Sequence, residues 1–138
     1  MMNGKLVGGL LTLSWAAWAQ TPCDQIKSLA FPDTVITSAE IVAAGAYRPP
    51  SAQPGPEQPA LTLPTHCRTA AVLKPSSDSE IAIEVWMPAT AWNGKFQAVG
   101  NGGWAGVISY QAMALALQEG YATASTDTGH QGTAPCSS

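Results

Sequence analysis

"FQAVGNGGWAG", Phe96 to Gly106, decides how the rest of the chain is read. It begins as an alternating strand and then places four glycines, Gly100, Gly102, Gly103 and Gly106, within seven residues. A strand has no use for that backbone freedom. A loop whose bare N–H groups must be approached closely does, because glycine carries no Cβ to stand in the way. The stretch that follows, "VISYQAMALALQEG", predicts a helix from Val107 to Glu119, with Ile108, Ala112, Leu115 and Ala116 along one stripe and Gly120 as the stop. "YATASTD" predicts another strand. Strand, loop, helix and strand form a crossover unit, which joins parallel strands. Ligands of such sheets bind at the carboxyl ends of the strands, where these glycines sit.

Toward the amino terminus the pattern is antiparallel. "ATAWNG" reads as a turn, and its Asn93-Gly94 is the strongest short signal for a hairpin. "EIAIEVWMP" alternates Ile81, Ile83 and Val85 on one face with Ala82, Glu84 and Trp86 on the other. "HCRTAAVLK" is a further strand, ended by the turn "PSSDS". In "RPPSAQPGPEQPALTLP" the six prolines Pro49, Pro50, Pro54, Pro56, Pro59 and Pro64 argue against regular structure, so it reads as a surface connection. "DTVITSAEIV" is rich in β-branched residues and predicts a strand; "CDQIKSLAFP" predicts one short helix with Ile26 and Leu29 on a shared face. There are no internal repeats. The fold class is therefore α/β: antiparallel strands, then one crossover, in an incomplete sheet whose further parallel strands are expected beside "YATASTD".

The first nineteen residues stand apart. A lone Lys5, an apolar run from Leu6 to Trp18, and Ala17-Trp18-Ala19 before Gln20 form the pattern of a secretory signal peptide. The run is short for a membrane anchor, which needs roughly 20 apolar residues. The expected mature chain is secreted or periplasmic, starts near Gln20, and has no membrane segment. Losing Lys5 takes the formal charge from −3 to −4. With no basic patch, nucleic acid is not an expected partner. Export permits disulfides. Of the three cysteines, Cys23 and Cys67 could close a loop worth about 4 kcal/mol in the chain-entropy model, while Cys136 has no evident partner. Charged residues make up 11% of the chain, against roughly 25% in ordinary soluble domains. So little charge leaves apolar surface that something else is meant to cover.

The glycine segment admits three readings: a phosphate cradle, an oxyanion loop, or flexible punctuation. "GNGGWAG" lacks the Gly-Lys-Ser/Thr of a P-loop and fits the dinucleotide pattern poorly. An oxyanion loop, which presents backbone N–H groups to an ester carbonyl after a strand, fits better.

With these residues in order, "EVWMPATAWNGKFQAVGNGGWAGVISYQAMALALQEGYATASTDTGH" resembles the tannase and feruloyl esterase family of secreted ester hydrolases. The resemblance runs from about Cys23 to Gly132. It implies an α/β-hydrolase core with a large lid, and a Ser-His-Asp triad flanked by disulfide-bonded cysteines. It implies small esters of hydroxylated aromatic acids as substrates; the lid, and the calcium site it often carries, would lie downstream, and no cofactor is expected in this chain. It also implies a nucleophile in a Gly-Cys-Ser-x-Gly-Gly elbow well after the "TDTGH" strand. No such elbow is present. "APCSS" contains Cys136-Ser137, but Pro135 precedes the pair, no glycines follow, and no helix and strand separate it from "TDTGHQG". Asp127 and His130 precede the place of the serine, whereas in this fold acid and histidine follow it. Asp127 is expected to hydrogen-bond its own turn and His130 to order the loop. One Asp and one His do not make a metal site. The chain thus reads as the amino-terminal portion of an esterase, residues 20–138 after the leader 1–19. It has no catalytic residue of its own, and the N–H groups of Gly102 and Gly103 are its oxyanion candidates. The other reading is a short secreted binding domain without chemistry. Alone, the mature chain is expected to be inactive and to form soluble aggregates or a molten state.

Overall fold

The computed structural model describes residues 21–48, 59–101 and 106–129. The leader, the centre of the proline-rich stretch, Gly102, Gly103, His130, Cys136 and Ser137 lie outside them. Among the described residues seven strands and one α-helix follow a short 3-10 turn at Cys23–Ser28: β1 (Thr34–Val42), β2 (Gly45–Tyr47), β3 (Leu61–Leu63), β4 (His66–Leu73), β5 (Ile81–Pro88), β6 (Phe96–Val99), α1 (Tyr110–Gln118) and β7 (Ala122–Thr126). Five strands form one sheet in the order β1-β4-β5-β7-β6, and β2 pairs with β3 in a small separate sheet. The pairs β1–β4, β4–β5 and β5–β7 are antiparallel, and β6–β7 is parallel. The antiparallel half and the single parallel crossover are those expected of an α/β sheet.

Asn93-Gly94 does not make a hairpin. β7 lies between β5 and β6, so the turn leads to a strand two positions away. Nor is β7 free to take further strands, since both its sides are paired; among the described residues the open parallel edge belongs to β6. The proline-rich stretch is not wholly irregular either. After Pro59 its apolar "LTL" forms β3, antiparallel to β2. The first helix is a 3-10 turn, and Leu29 caps it at 44% exposure instead of packing.

The alternation along β5 sets the core. Trp86 is fully buried and Glu84 nearly so, on the face that α1 covers. Trp86 packs with Leu63, Met113, Ala114 and Leu117. α1 begins three residues later than its periodicity suggests. Its buried residues are Met113, Ala114, Ala116 and Leu117, while Leu115 is half exposed. The short β2–β3 sheet docks from the side: the amide of Gln118 donates to the Thr62 carbonyl (2.6 Å), and Tyr47 meets Trp86 edge to face. Gly120 ends the helix at φ +81°. Its N–H bonds to the Leu117 carbonyl and that of Tyr121 to Ala116, the closing pattern that requires a left-handed residue. On the opposite face of the sheet the 3-10 turn lies over β1 and β4, and a Cys23–Cys67 disulfide holds it there with Cα atoms 5.7 Å apart.

Candidate functional site

Because β6 and β7 are parallel, their carboxyl ends emerge side by side: Gly100 and Asn101 after β6, Asp127 to Gly129 after β7. The two ends are bonded together. The Asn101 amide donates to the Thr128 hydroxyl (3.3 Å), which itself donates to the Asp127 carbonyl (2.6 Å). Thr128 and Gly129 both have left-handed backbone, φ 59° and 83°. Asp127 supports that turn. Its Oδ1 accepts the N–H of Gly129 (3.0 Å) and of Ala82 (2.9 Å), tying the end of β7 to β5. This is the turn-closing role expected for it, and it leaves the carboxylate engaged.

The chain beyond the glycine segment is fastened as well. Ser109 occupies the position before α1, where a hydroxyl commonly caps the helix. Here it caps nothing in the helix and donates instead to the Gly100 carbonyl (3.2 Å), while the Ser109 N–H donates to Ser125 Oγ (3.0 Å). Residues on both sides of the segment are thus held by side chains from β7 and the turn after it, and by each other. Asn101 Oδ1 is buried and meets no hydrogen-bond donor among the described residues. Gly102 and Gly103, the oxyanion candidates, lie between these anchors and outside the described residues. Among the described residues, no three His, Cys, Asp or Glu side chains gather where they could hold a metal ion.

Tyr110, the first residue of α1, connects the helix start to a buried polar cluster. Its hydroxyl donates to Glu84 Oε1 (3.0 Å). Glu84 also accepts the Trp86 indole N–H (2.7 Å), Arg68 Nε (2.8 Å) and a second Arg68 N–H. Burial raises the Glu84 carboxyl, but the hydrogen bonds from Arg68 and Trp86, the Arg68 charge and the Tyr110 hydroxyl outweigh it and hold the group below the usual carboxylate range. Burial and the Glu84 charge push Tyr110 up to about 12, and they raise Tyr47 as well.

The sequence reading missed the braces Asn101, Ser109, Ser125 and Thr128, and the Arg68–Glu84 pair. Ser109 falls inside the helix predicted from Val107, and a serine there was a legible signal that the helix starts one residue after it, at Tyr110. For Arg68 and Glu84 the signal was two opposite charges in adjacent, otherwise apolar strands of a chain with few charges.

The family model for tannase and feruloyl esterase matches residues 67–137, half of the chain. An uncharacterised esterase of Xanthomonas campestris pv. campestris is 43% identical over 125 residues, which is 91% of this chain and 20% of that protein. Feruloyl esterase C of Talaromyces stipitatus is 37% identical over 117 residues, 80% of this chain and 21% of that protein. The crystal structure of feruloyl esterase B from Aspergillus oryzae superposes with a TM-score of 0.64 at 33% identity, covering 80% of this chain and 22% of that one. The chain therefore spans about a fifth of the length of the relatives it matches.

Proposed function

Because the chain belongs to the tannase and feruloyl esterase family, we propose that it is the amino-terminal portion of a secreted serine carboxylic ester hydrolase acting on esters of hydroxylated aromatic acids. In this reading residues 1–19 are an export leader, and residues 20–138 belong to an α/β-hydrolase catalytic domain. The backbone N–H groups of Gly102 and Gly103 supply one side of an oxyanion hole, a contribution of about 3–4 kcal/mol to the transition state. The nucleophile, acid and histidine come from the part of the relatives' length that this chain does not span. The observation that supports the reading is that the residues flanking the glycine segment, Gly100 and Asn101 before it and Ser109 after it, are bonded at the paired carboxyl ends of β6 and β7, in a chain of this family.

The test is enzymatic. Purified mature chain is incubated with methyl ferulate, methyl gallate and p-nitrophenyl acetate. No turnover is expected. Turnover that Ser137→Ala abolishes would overturn the reading, because the nucleophile would then lie in "APCSS". Reading the DNA beyond codon 138 in all frames is the companion test: a Gly-Cys-Ser-x-Gly-Gly sequence supports the proposal, and its absence favours a binding domain.

A further inference from the structure

Asn93-Gly94 joins no hairpin, which leaves the question of what it does. Its side chain bolts the Ala91–Lys95 turn to the end of α1. Asn93 Nδ2 donates to the Glu119 carbonyl (3.0 Å), Oδ1 accepts the Lys95 N–H (2.9 Å), and the Asn93 N–H donates to the Gly120 carbonyl (3.0 Å). The contact is tight: a Cβ on Gly120 would lie 2.8 Å from the Ala91 carbonyl oxygen. Yet the residue is exposed, and the next is a glycine with nothing within 4 Å of its Cβ position. An asparagine followed by an unhindered glycine is the dipeptide most open to deamidation. The Gly94 nitrogen attacks Asn93 Cγ and loses its proton, the Cγ–Nδ2 bond breaks, and Nδ2 leaves as ammonia. Water then opens the succinimide to aspartate or isoaspartate at position 93.

We propose that Asn93 is a deamidation site gated by the fold. While the turn is docked, both ends of the carboxamide are held, so Cγ cannot swing onto the Gly94 nitrogen. When the end of α1 is released, the reaction proceeds. The product cannot restore the docking: it lacks the Nδ2 donor and sets a negative charge against the carbonyls at the carboxyl end of a helix, the negative end of its dipole. Deamidation at this position therefore records the release of α1 and makes it irreversible. This inference stands independently of the esterase reading.

The experiment follows conversion at position 93 by peptide mass mapping during incubation at mildly alkaline pH. It compares the whole mature chain, the same chain in urea, and a free peptide spanning Ala91–Phe96. The chain without urea is expected to convert about tenfold more slowly than the peptide, the order set by having to break two hydrogen bonds first. The chain in urea should match the peptide. Gly120→Ala, which drives a methyl into the Ala91 carbonyl, should speed conversion in the otherwise intact chain. Equal rates in peptide and chain would overturn the proposal, and so would a Gly120→Ala chain that converts no faster than the parent.

Discussion

Arg68 and Glu84 are diagonal neighbours across the β4–β5 ladder, and the guanidinium grips the carboxylate through two hydrogen bonds on the face that α1 covers. Glu84 is 3% exposed, so its charge depends on that grip. Arg68→Ala should destabilise the chain by about 3 kcal/mol. That is the low end of the range for breaking a buried pair, because a third of the Arg68 side chain remains in water. Replacing both partners together, Arg68→Met with Glu84→Leu, should cost less than Arg68→Ala alone, since no orphaned charge is left behind. Urea midpoints of the three variants at low protein concentration decide this. A double variant worse than the single one would show that the packing of the cluster outweighs its charge balance.

The same cluster gives the stability a dependence on pH at both ends. Glu84 is held below its ordinary value in the folded chain, so its contribution is complete above the unfolded value, about 4.3, and is lost as pH falls below it. Tyr110 moves the other way. Its ordinary value near 10 rises to about 12 through burial and the Glu84 charge, so its contribution is complete below about pH 10 and is lost by about pH 12. Tyr110→Phe should therefore flatten the alkaline fall in the urea midpoint and leave the acid fall largely in place. An alkaline limb that Tyr110→Phe does not change would place the titration elsewhere.

The disulfide should be separable from the cluster. Cys67 is buried in β4, but the 3-10 turn that carries Cys23 buries no residue of its own, so the bond is what holds the turn on the sheet. Mass mapping of unreduced peptides is expected to show Cys23 joined to Cys67. Cys23→Ala should cost about 2–4 kcal/mol and open cleavage sites before Thr34, leaving the sheet beyond β1 protected. A Cys67–Cys136 link in the peptide map would contradict this arrangement.

These features differ in how far the sequence discloses them. Alternation in "EIAIEVWMP" and the order strand, glycines, helix, strand were enough for the antiparallel half and the crossover, because period and turn chemistry are local. Strand order is not local. Asn93-Gly94 is a good hairpin turn by itself, and only the insertion of β7 between β5 and β6 turns it into a brace for α1. The helix stripe failed for a related reason. Leu115 has the hydrophobicity of a core residue, but the sheet lies under Met113, Ala116 and Leu117, and a short helix with apolar residues on most of its faces does not announce which face that is. The anchors of the glycine segment are small polar side chains, Asn101, Ser109 and Thr128, whose partners become neighbours only when the two parallel strands are placed side by side.

The edge strand β6 sets the behaviour of the chain in isolation. Its core is one-sided: α1 and the β2–β3 sheet cover Trp86, and the opposite face leaves Phe96 60% and Ile41 59% exposed. Among the described residues β6 pairs with β7 alone, so its outer hydrogen-bonding groups are left without a strand partner there, next to Phe96. An open apolar edge recruits other strands, and 11% charged residues give little repulsion to prevent it. The mature chain is expected to associate as its concentration rises and to bind a hydrophobic dye. Phe96→Lys should weaken association by about 1–2 kcal/mol, roughly tenfold in the association constant, since the ring is half buried already and its replacement carries charge. Sedimentation across a concentration series measures this. A parent chain that stays monodisperse across the series would mean that the exposed face is not adhesive, and would shift the reading from a portion of an esterase toward a self-sufficient binding domain.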